Sequence, residues 1–367
     1  MKKNILFATH NSEDDTDGVW KKIKAQVSAL RGMGASVDFF YMKEGVIILD
    51  DGVIKSEFPI GQKGKYFFYF SLANHIKSER KAYDLAYIRK PHGGLFVIFL
   101  PYLLGALKRI NTYIVIEIPT YPYKKELNSI KAIIFNIVFD MTLPFFRGKV
   151  DEVLYMGDKI ETIWGVKATR ISNGIDIDNI KSIKEKDKCS SDFIIVGVAN
   201  LEFWHGYDRI VEGIKKYTGK RSVIFNIVGY SQPEYNRLKE MVLKYKIENN
   251  VVFHGRKSGG ELDVLLEDAD VCVDALGRHR SGNNTNSSIK SKEYAARGLP
   301  FIKSHVDYSF GDEEFIFQVP ANDSAVDIER IIQWRGSLSE GFSIREREFA
   351  LSKLTWDKQL KFLLEGK

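Results

Sequence analysis

The sequence predicts an α/β protein made of two Rossmann-like domains. Apolar segments of strand length alternate with segments of helical periodicity along most of the chain, as in parallel sheets with helical crossovers. The chain has 367 residues, and a single hydrophobic core usually stops growing below this size. A polar run at residues 181–192 indicates a linker. We therefore predict domains at residues 1–180 and 190–343, followed by a C-terminal helix at residues 344–367.

Composition indicates a globular protein without a disulfide framework or a structural metal. Apolar residues make up 44% and charged residues 28% of the chain, which is ordinary for a folded domain. Cys189 and Cys272 lie far apart and match no metal spacing. The apolar run at residues 3–9 is too short for a signal peptide and predicts a first strand. We expect a cytoplasmic protein with no nucleic-acid partner.

Positive charge is concentrated in the first half of the chain. Residues 1–188 contain 29 Lys and Arg against 22 Asp and Glu, whereas the remainder contains 25 against 26. A basic half next to a neutral half indicates an anionic contact, either a membrane surface or a phosphorylated acceptor. The alternative is that the lysines serve solubility alone.

The chain opens with a strand, a helix and a second strand. Val19, Ile23, Val27 and Leu30 recur at helical spacing after the first strand, and residues 37–41 form the next strand. Gly18 lies in the turn where such folds bring the backbone close to a phosphate or sugar, and it is a candidate donor-binding residue. No G-x-G-x-x-G follows, so a tightly bound dinucleotide is not expected.

Two further strands of the first domain end in polar loops. After a hairpin at residues 44–65 and a helix at 66–80, the strand at 85–88 leads into RKPHGG, where we favour a structural role for His92. The strand at 113–118 contains Glu117, a carboxylate that is costly to bury unless it is paired. Glu117 either pairs with Arg89 as a structural bridge or faces the acceptor hydroxyl. By position alone, Glu117 and Thr120 are candidates to face the acceptor.

Two apolar stretches, at residues 95–107 and 130–146, fall short of the roughly 20 residues needed to cross a bilayer. We favour buried core helices for both. The alternative places residues 130–139 on a membrane surface, because basic residues flank them. These basic residues are Lys124, Lys125, Lys131, Arg147 and Lys149.

The second domain continues the alternation of strands and helices. Residues 193–199 form an unbroken apolar strand of the buried kind. A strand at 223–228 ends at Gly229, which we include among the candidate donor-binding residues. Helices at 234–245 and 261–267 and a strand at 251–253 follow.

The segment SSIKSKEYAARGLPFI, residues 287–302, predicts a helix that begins near Ser287 and Ser288 and ends at Gly298. Lys290 and Glu293, three residues apart, then project on one side of a helix N-terminus, which favours a phosphate. An ordinary solvated pair is the alternative. A buried strand at 270–276 and a polar loop with two arginines precede the helix, and this context favours a ligand site.

The string S-x-K-x-x-E-Y-A-A-x-G-x-P-x-I resembles the nucleotide-sugar-binding signature of retaining glycosyltransferases of the GT-B fold, the large family that includes bacterial mannosyltransferases and sucrose synthase. The resemblance implies two Rossmann-like domains facing a cleft, with the last helix crossing back to the first domain. It implies a nucleotide-sugar donor as substrate and no cofactor or metal. In that family the glutamate corresponding to Glu293 binds the donor ribose. The turn at residues 170–180 resembles the family's passage between domains.

The sequence departs from the family pattern at four places. The glutamate expected eight residues before Glu293 is Thr285, and the arginine and lysine expected on the donor diphosphate are Asn200 and His205. The histidine that the family places after the strand at 113–118 is absent. Arg278, Arg280 and Lys290 are the cations that replace the missing charges in this interpretation.

The leading hypothesis is a retaining, hexosyltransferase-type enzyme that uses a glycan or lipid-linked acceptor in bacterial cell-surface polysaccharide synthesis, at the inner face of the membrane. Alternatives are an inactive GT-B-like accessory or sugar-binding subunit and a nucleotide-sugar epimerase. Glu117, Arg280 and Lys290 are the candidate catalytic residues. The candidate donor-binding residues are Gly18, Asn200, His205, Gly229, Arg278, Asn286, Ser287, Ser288 and Glu293.

Overall fold

The computed structural model describes residues 2–14, 17–58, 64–79, 81–126, 129–185 and 191–365. Cys189 and the middle of the predicted linker lie outside these ranges. The chain divides into two compact units: Met1–Gly174 together with Trp356–Lys367, and Ile175–Thr355. The first unit thus ends at residue 174, where the sequence predicts residue 180. The chain returns to the first unit at residue 356, where the sequence predicts residue 344.

The first unit contains a nine-stranded sheet of order β4-β3-β2-β1-β5-β6-β7-β9-β8. The central pairs from β2 to β9 are parallel, and β3, β4 and β8 pair antiparallel at the two edges. The hairpin predicted within residues 44–65 is confirmed as β3 and β4. The strands are β1 (Asn4–Ser12), β2 (Ser36–Lys43), β3 (Val46–Asp50), β4 (Lys55–Phe58), β5 (Leu85–Arg89), β6 (Tyr113–Ile118), β7 (Glu152–Tyr155), β8 (Thr162–Ile163) and β9 (Val166–Arg170).

Four helices cover this sheet before the chain enters the second unit. The first begins where the Asp17 side chain accepts the Val19 N–H at 3.0 Å, and its apolar side buries Trp20, Ile23 and Leu30. The helices are α1 (Gly18–Gly32), α2 (Phe68–Glu79), α3 (Leu100–Arg109) and α4 (Ile130–Thr142).

The second unit contains a six-stranded, fully parallel sheet of order β12-β11-β10-β13-β14-β15. Counted within the unit, this is the 3-2-1-4-5-6 order of doubly wound folds, in which ligands bind where the strand order reverses. The strands are β10 (Asp192–Val198), β11 (Ser222–Val228), β12 (Val251–Gly255), β13 (Val271–Val273), β14 (Phe301–Lys303) and β15 (Ile316–Gln318). The helices are α5 (Asp208–Lys216), α6 (Glu234–Tyr245), α7 (Gly260–Glu267), α8 (Ile289–Arg297), α9 (Ile328–Ser337) and α10 (Phe342–Lys353).

The predicted single helix at the C-terminus is two helices, α10 and α11 (Trp356–Leu360). The break occurs because the Leu354 carbonyl accepts the Ile175 N–H at 2.9 Å and Thr355 pairs with Ile175 as a β-bridge. Helix α10 packs on α8 in the second unit, whereas α11 packs on α1 in the first. A side chain at Gly174 would collide with Trp356.

The two apolar stretches of the first unit differ in how far their side chains are buried. Residues 95–107 contribute a buried face to the core, through Leu100, Leu103 and Leu107 of α3. Helix α4 buries only three of its side chains, and its isoleucines are about half or more exposed. The favoured core interpretation is therefore wrong for α4. Among the described residues, no helix combines the length and the apolar character needed to cross a membrane.

Candidate functional site

In the second unit, the loops after β10 and β13 meet where the strand order reverses. The Leu276 N–H donates to the His205 carbonyl at 2.8 Å. A Cβ on Gly206 would lie 2.6 Å from the backbone nitrogen of Gly277. The two loops are thus packed backbone against backbone, which only glycine permits at Gly206. This contact brings the residues predicted on both loops into one site.

Arg280 holds the two loops together and is not free to bind a diphosphate. Its guanidinium donates to both carboxylate oxygens of Asp208, each at 2.9 Å, and to the Phe203 carbonyl at 3.0 Å. A further N–H donates to Asp323 at 2.7 Å. Because four of the five guanidinium N–H groups are engaged, the structure assigns Arg280 a positioning role where the sequence predicts a catalytic one.

His205 occupies the position where the resemblance predicts a lysine, and it is a neutral hydrogen-bond donor. Its Nδ1 accepts the Glu202 N–H at 3.0 Å, so the neutral ring carries its proton on Nε2. Burial, followed by the charges of Lys290 and Arg278, holds the pKa of His205 well below its ordinary value. The site therefore lacks one of the cations of the family pattern and has an N–H group in its place.

Lys290 is anchored to a buried carboxylate at the start of α8. Its Nζ lies 3.2 Å from Oδ1 of Asp274, which is fully buried. Asp274 also accepts the Ser291 hydroxyl and the Ala275 N–H, and His305 lies 3.6 Å from it. Burial alone raises the pKa of Asp274, but Lys290, His305 and these hydrogen bonds hold it far below its ordinary value. Burial lowers the pKa of Lys290, and Asp274 opposes that shift.

The start of α8 follows the prediction, but two backbone N–H groups near it are already engaged. Ser288 is the N-cap residue, and its N–H donates to Asp307 at 3.2 Å. The Asn286 N–H donates to the Val306 carbonyl at 2.9 Å. A fully buried ion pair between Lys292 and Asp307, 2.8 Å long, fixes this turn. An anion would therefore bind to the N–H groups in the first turn of α8, and not to the backbone of residues 286–288.

Glu293 presents an exposed carboxylate one turn after Lys290. Asn200 is also exposed, two residues after the end of β10. Gly229 has φ of +130°, and a Cβ there would lie 1.7 Å from the Ala199 carbonyl oxygen, so the close passage of two loops requires glycine. Gly18 differs: it begins α1, and a Cβ placed on it would have no neighbouring atom within 4 Å, so no backbone contact there requires glycine.

In the first unit, Glu117 is the centre of a buried polar network. Its carboxylate pairs with Lys22 at 2.8 Å and Arg89 at 3.3 Å, and accepts hydrogen bonds from Tyr87 at 2.7 Å and Gln26 at 3.0 Å. Burial raises the pKa of Glu117, but the two cations and these hydrogen bonds lower it to about 2. With no exposed surface, Glu117 fits the structural alternative and not the catalytic one.

Thr120 and His92, the other polar candidates of the first unit, line a cavity of about 400 Å³ at the ends of β5 and β6. Lys90 lines it as well. In the sequence Lys90 is part of the polar loop RKPHGG, and nothing there indicates that its side chain is buried. Among the described residues, no group of three or more His, Cys, Asp and Glu side chains is arranged to hold a metal ion.

Comparison with known proteins shows which family model and which folds the chain is similar to. Residues 178–306, within the second unit, match the family model of glycosyl transferases group 1. A glycosyltransferase from Rickettsia africae ESF-5 is 16% identical with a TM-score of 0.66, over 99% of this chain and 97% of that chain. Anabaena HepE, solved in complex with UDP, is 12% identical with a TM-score of 0.64, over 100% of both chains. No curated protein sequence matches the chain.

The catalytic domain of starch synthase IV from Arabidopsis thaliana, solved with ADP and acarbose, is also 12% identical with a TM-score of 0.64, over 99% of this chain and 98% of that chain. The fold is that of GT-B glycosyltransferases, which confirms the predicted fold class. Within that class, the second unit carries the glycosyl transferases group 1 region, in accord with the predicted resemblance.

Proposed function

We propose that this protein transfers a hexosyl group from a nucleotide sugar to a sugar acceptor, with retention at the anomeric carbon. The observation that carries the proposal is the position of Lys290 and Glu293, three residues apart at the start of α8, beside the reversal of strand order in the second sheet. Neighbours of the same fold were solved with UDP and with ADP, which supports a nucleoside diphosphate as part of the donor. Retention rests on the resemblance of the α8 signature to retaining enzymes.

The proposed roles follow from the charges that the site presents. Lys290, the Nε2–H group of His205 and the first-turn N–H groups of α8 face the donor diphosphate, and Glu293 accepts the ribose hydroxyls. Stabilisation of the charge that develops on the leaving diphosphate is usually the largest catalytic term. Because Asn200 and neutral His205 supply no charge, most of this stabilisation falls to Lys290 and Arg278.

The ribose contact gives the first test. We expect Glu293→Ala to weaken nucleotide-sugar binding by about 1.5–3 kcal/mol, the scale of hydrogen bonds that involve a charged group. Calorimetric titration with a panel of nucleotide sugars measures this change. Glu240→Ala, which removes an exposed carboxylate from α6, is the matched control. Equal affinities of wild type and Glu293→Ala would remove Glu293 from the donor site.

The proposal also assigns charge neutralisation to fixed protein groups and not to a divalent ion. We therefore expect sugar transfer to persist in excess chelator, because Lys290 and the N-terminus of α8 remain in place. The measurement is the rate of nucleoside diphosphate release with and without chelator. Loss of activity that magnesium or manganese restores would contradict this assignment.

We further propose that the first unit contacts an anionic membrane through α4, where a lipid-linked glycan acceptor is presented for cell-surface polysaccharide synthesis. Ile130 is 78% and Met141 70% exposed, although both are apolar. Exposed Lys131 lies in the first turn of this helix, and exposed Arg147 lies five residues after its end. Exposed apolar side chains bordered by cations fit an interfacial helix. Of the other predicted basic residues, Lys124 is paired with Asp140 at 2.8 Å, and the side chain of Lys125 lies outside the described set.

Vesicle binding tests this proposal. We expect tighter binding to anionic than to neutral vesicles, with a preference that falls as salt screens the charges. The double variant Lys131→Glu with Arg147→Glu should weaken the binding free energy for anionic vesicles by about 2 kcal/mol or more, since each surface cation contributes about 1 kcal/mol. Ile134→Ser with Ile137→Ser should reduce binding to both vesicle types, and Leu243→Ser with Val264→Ser, at exposed apolar positions of the second unit, should not. Equal binding of wild type to both vesicle types would contradict the proposal.

A non-catalytic nucleotide-sugar-binding subunit is the second candidate, favoured by Asn200, Thr285 and the neutral state of His205. Turnover separates the two candidates. Release of nucleoside diphosphate in the presence of acceptor supports the enzyme, whereas donor binding without any release supports the subunit.

A further inference from the structure

The cavity of the first unit lies where β5 and β6 end beside the first turns of α4. Its volume of about 400 Å³ is sufficient for a small polar group. The residues that line it include Lys90, His92, Thr120, Tyr123, Lys131 and Phe135. Two of these side chains are lysines, so the cavity has a positive lining.

Lys90 is a buried cation without a carboxylate partner among the described side chains. Only 8% of Lys90 is exposed. Its Nζ lies 4.1 Å from the ring centre of Tyr123 and 4.2 Å from that of Phe139, and it donates to the Pro91 carbonyl at 3.1 Å. Cation–π contacts offset only part of the cost of burying an ammonium group. A buried charge left in this state indicates that an anion completes the site.

The acidic group whose charge acts on Lys90 already has partners. Asp140 pairs with Lys124 at 2.8 Å and accepts a hydrogen bond from Asn136 at 3.0 Å. Burial lowers the pKa of Lys90 to about 8, and Asp140 opposes this shift. Lys90 is therefore mostly protonated at neutral pH.

The walls of the cavity are held in place by close backbone packing. Gly93 has φ of +98°, and a Cβ there would lie 2.2 Å from the Phe135 carbonyl oxygen, so the HGG loop packs directly on the backbone of α4. The Ser129 side chain accepts the Ala132 N–H at 3.2 Å and begins the helix. The N-terminus of α4, which is the positive end of its dipole, lies at this cavity and adds to the positive charge of Lys90 and Lys131.

We propose that this cavity binds the phosphate or diphosphate group of a lipid-linked acceptor, with Lys90 as its buried counter-ion. The inference rests on the proposed function, because it concerns the acceptor of that reaction. A lipid source is favoured over a free phosphate because Ile130, Ile133 and Ile134, all exposed, occupy the same turns of α4 as the cavity-lining Lys131 and Phe135. Helix α4 thereby offers one cation, Lys131, to a head group and apolar surface to its lipid chain.

Binding of a short-chain prenyl diphosphate to the full chain tests the proposal, with the matching prenyl alcohol and inorganic diphosphate as comparisons. We expect the prenyl diphosphate to bind at least tenfold more tightly than either comparison. Lys90→Met should weaken it at least tenfold and leave binding of the alcohol unchanged. Lys21→Met, which removes an exposed lysine of α1, is the matched control. Wild-type affinity for the diphosphate should also fall as pH rises through about 8, where free Lys90 loses its proton.

Stability provides an independent readout of the same variant. Lys90→Met removes a buried charge that has no carboxylate partner among the described side chains, so the melting temperature of this variant should not fall. A loss of binding would then not be due to a loss of folding. Equal binding of prenyl diphosphate and prenyl alcohol, or no effect of Lys90→Met, would overturn the site. Equal binding of prenyl and inorganic diphosphate would overturn the lipid assignment. Nucleotide-sugar titration of the same samples separates these results from a failure of the proposed function, which would show as absent donor binding.

Discussion

Replacement of Lys290 by methionine is expected to lower the rate of sugar transfer by about two to three orders of magnitude, the usual effect of removing one group that stabilises developing charge. The effect should be large here because His205 is neutral and Arg280 is bound to Asp208 and Asp323. Donor affinity should change less than the rate, since the charge on the diphosphate increases as the glycosidic bond breaks. Steady-state rates together with calorimetric donor binding separate the two effects.

Lys290 also neutralises buried Asp274, so a structural effect has to be distinguished from a catalytic one. If Lys290 served only as a counter-ion, Lys290→Met with Asp274→Asn would recover both stability and activity, because the double variant leaves no uncompensated charge. We expect recovery of stability without recovery of the rate. Lys244→Met, at an exposed position in the last turn of α6, controls for the loss of a lysine in the same unit. A double variant with wild-type activity would exclude the proposed role.

The sequence was sufficient to predict the sheets and α8 because their signals are local. Unbroken apolar runs such as β10 indicate a parallel, buried strand. Helix α8 ends at Gly298, which has φ of +78° as a C-terminal αL residue should. Such features depend on neighbours in the sequence, so one chain is enough to identify them.

Whether a side chain is free to bind a ligand could not be predicted, because this depends on partners that are distant in the sequence. The sequence predicts Arg280 as a diphosphate ligand, yet its guanidinium is bound to Asp208, which lies 72 residues earlier. The state of His205 depends on burial and on Lys290 and Arg278. Helix α4 illustrates the same limit for apolar residues: its sequence is as apolar as a core helix, and only the structure shows which side chains are left uncovered.

The buried network of Glu117 leads to the second large expected effect, which concerns stability. Glu117→Gln keeps the shape of the side chain but leaves Lys22 and Arg89 without their carboxylate, and breaking a buried ion pair on one side costs about 3–5 kcal/mol. For a unit of this size the melting temperature should fall by roughly 10 °C. Glu161→Gln, at an exposed position of the same unit, should change it little.

The pH dependence of that difference tests whether charge is the cause. The pKa of Glu117 falls from its ordinary value of 4.5 to about 2 in the folded protein. A carboxyl group with a lowered pKa contributes stability that is fully present above its unfolded value and is lost as pH falls through its folded value. The advantage of wild type over Glu117→Gln should therefore shrink by about 3 kcal/mol as pH is lowered from about 5 to about 2. Urea unfolding of both proteins across this range measures it, and a difference independent of pH would mean that Glu117 stabilises the unit by its shape and not by its charge.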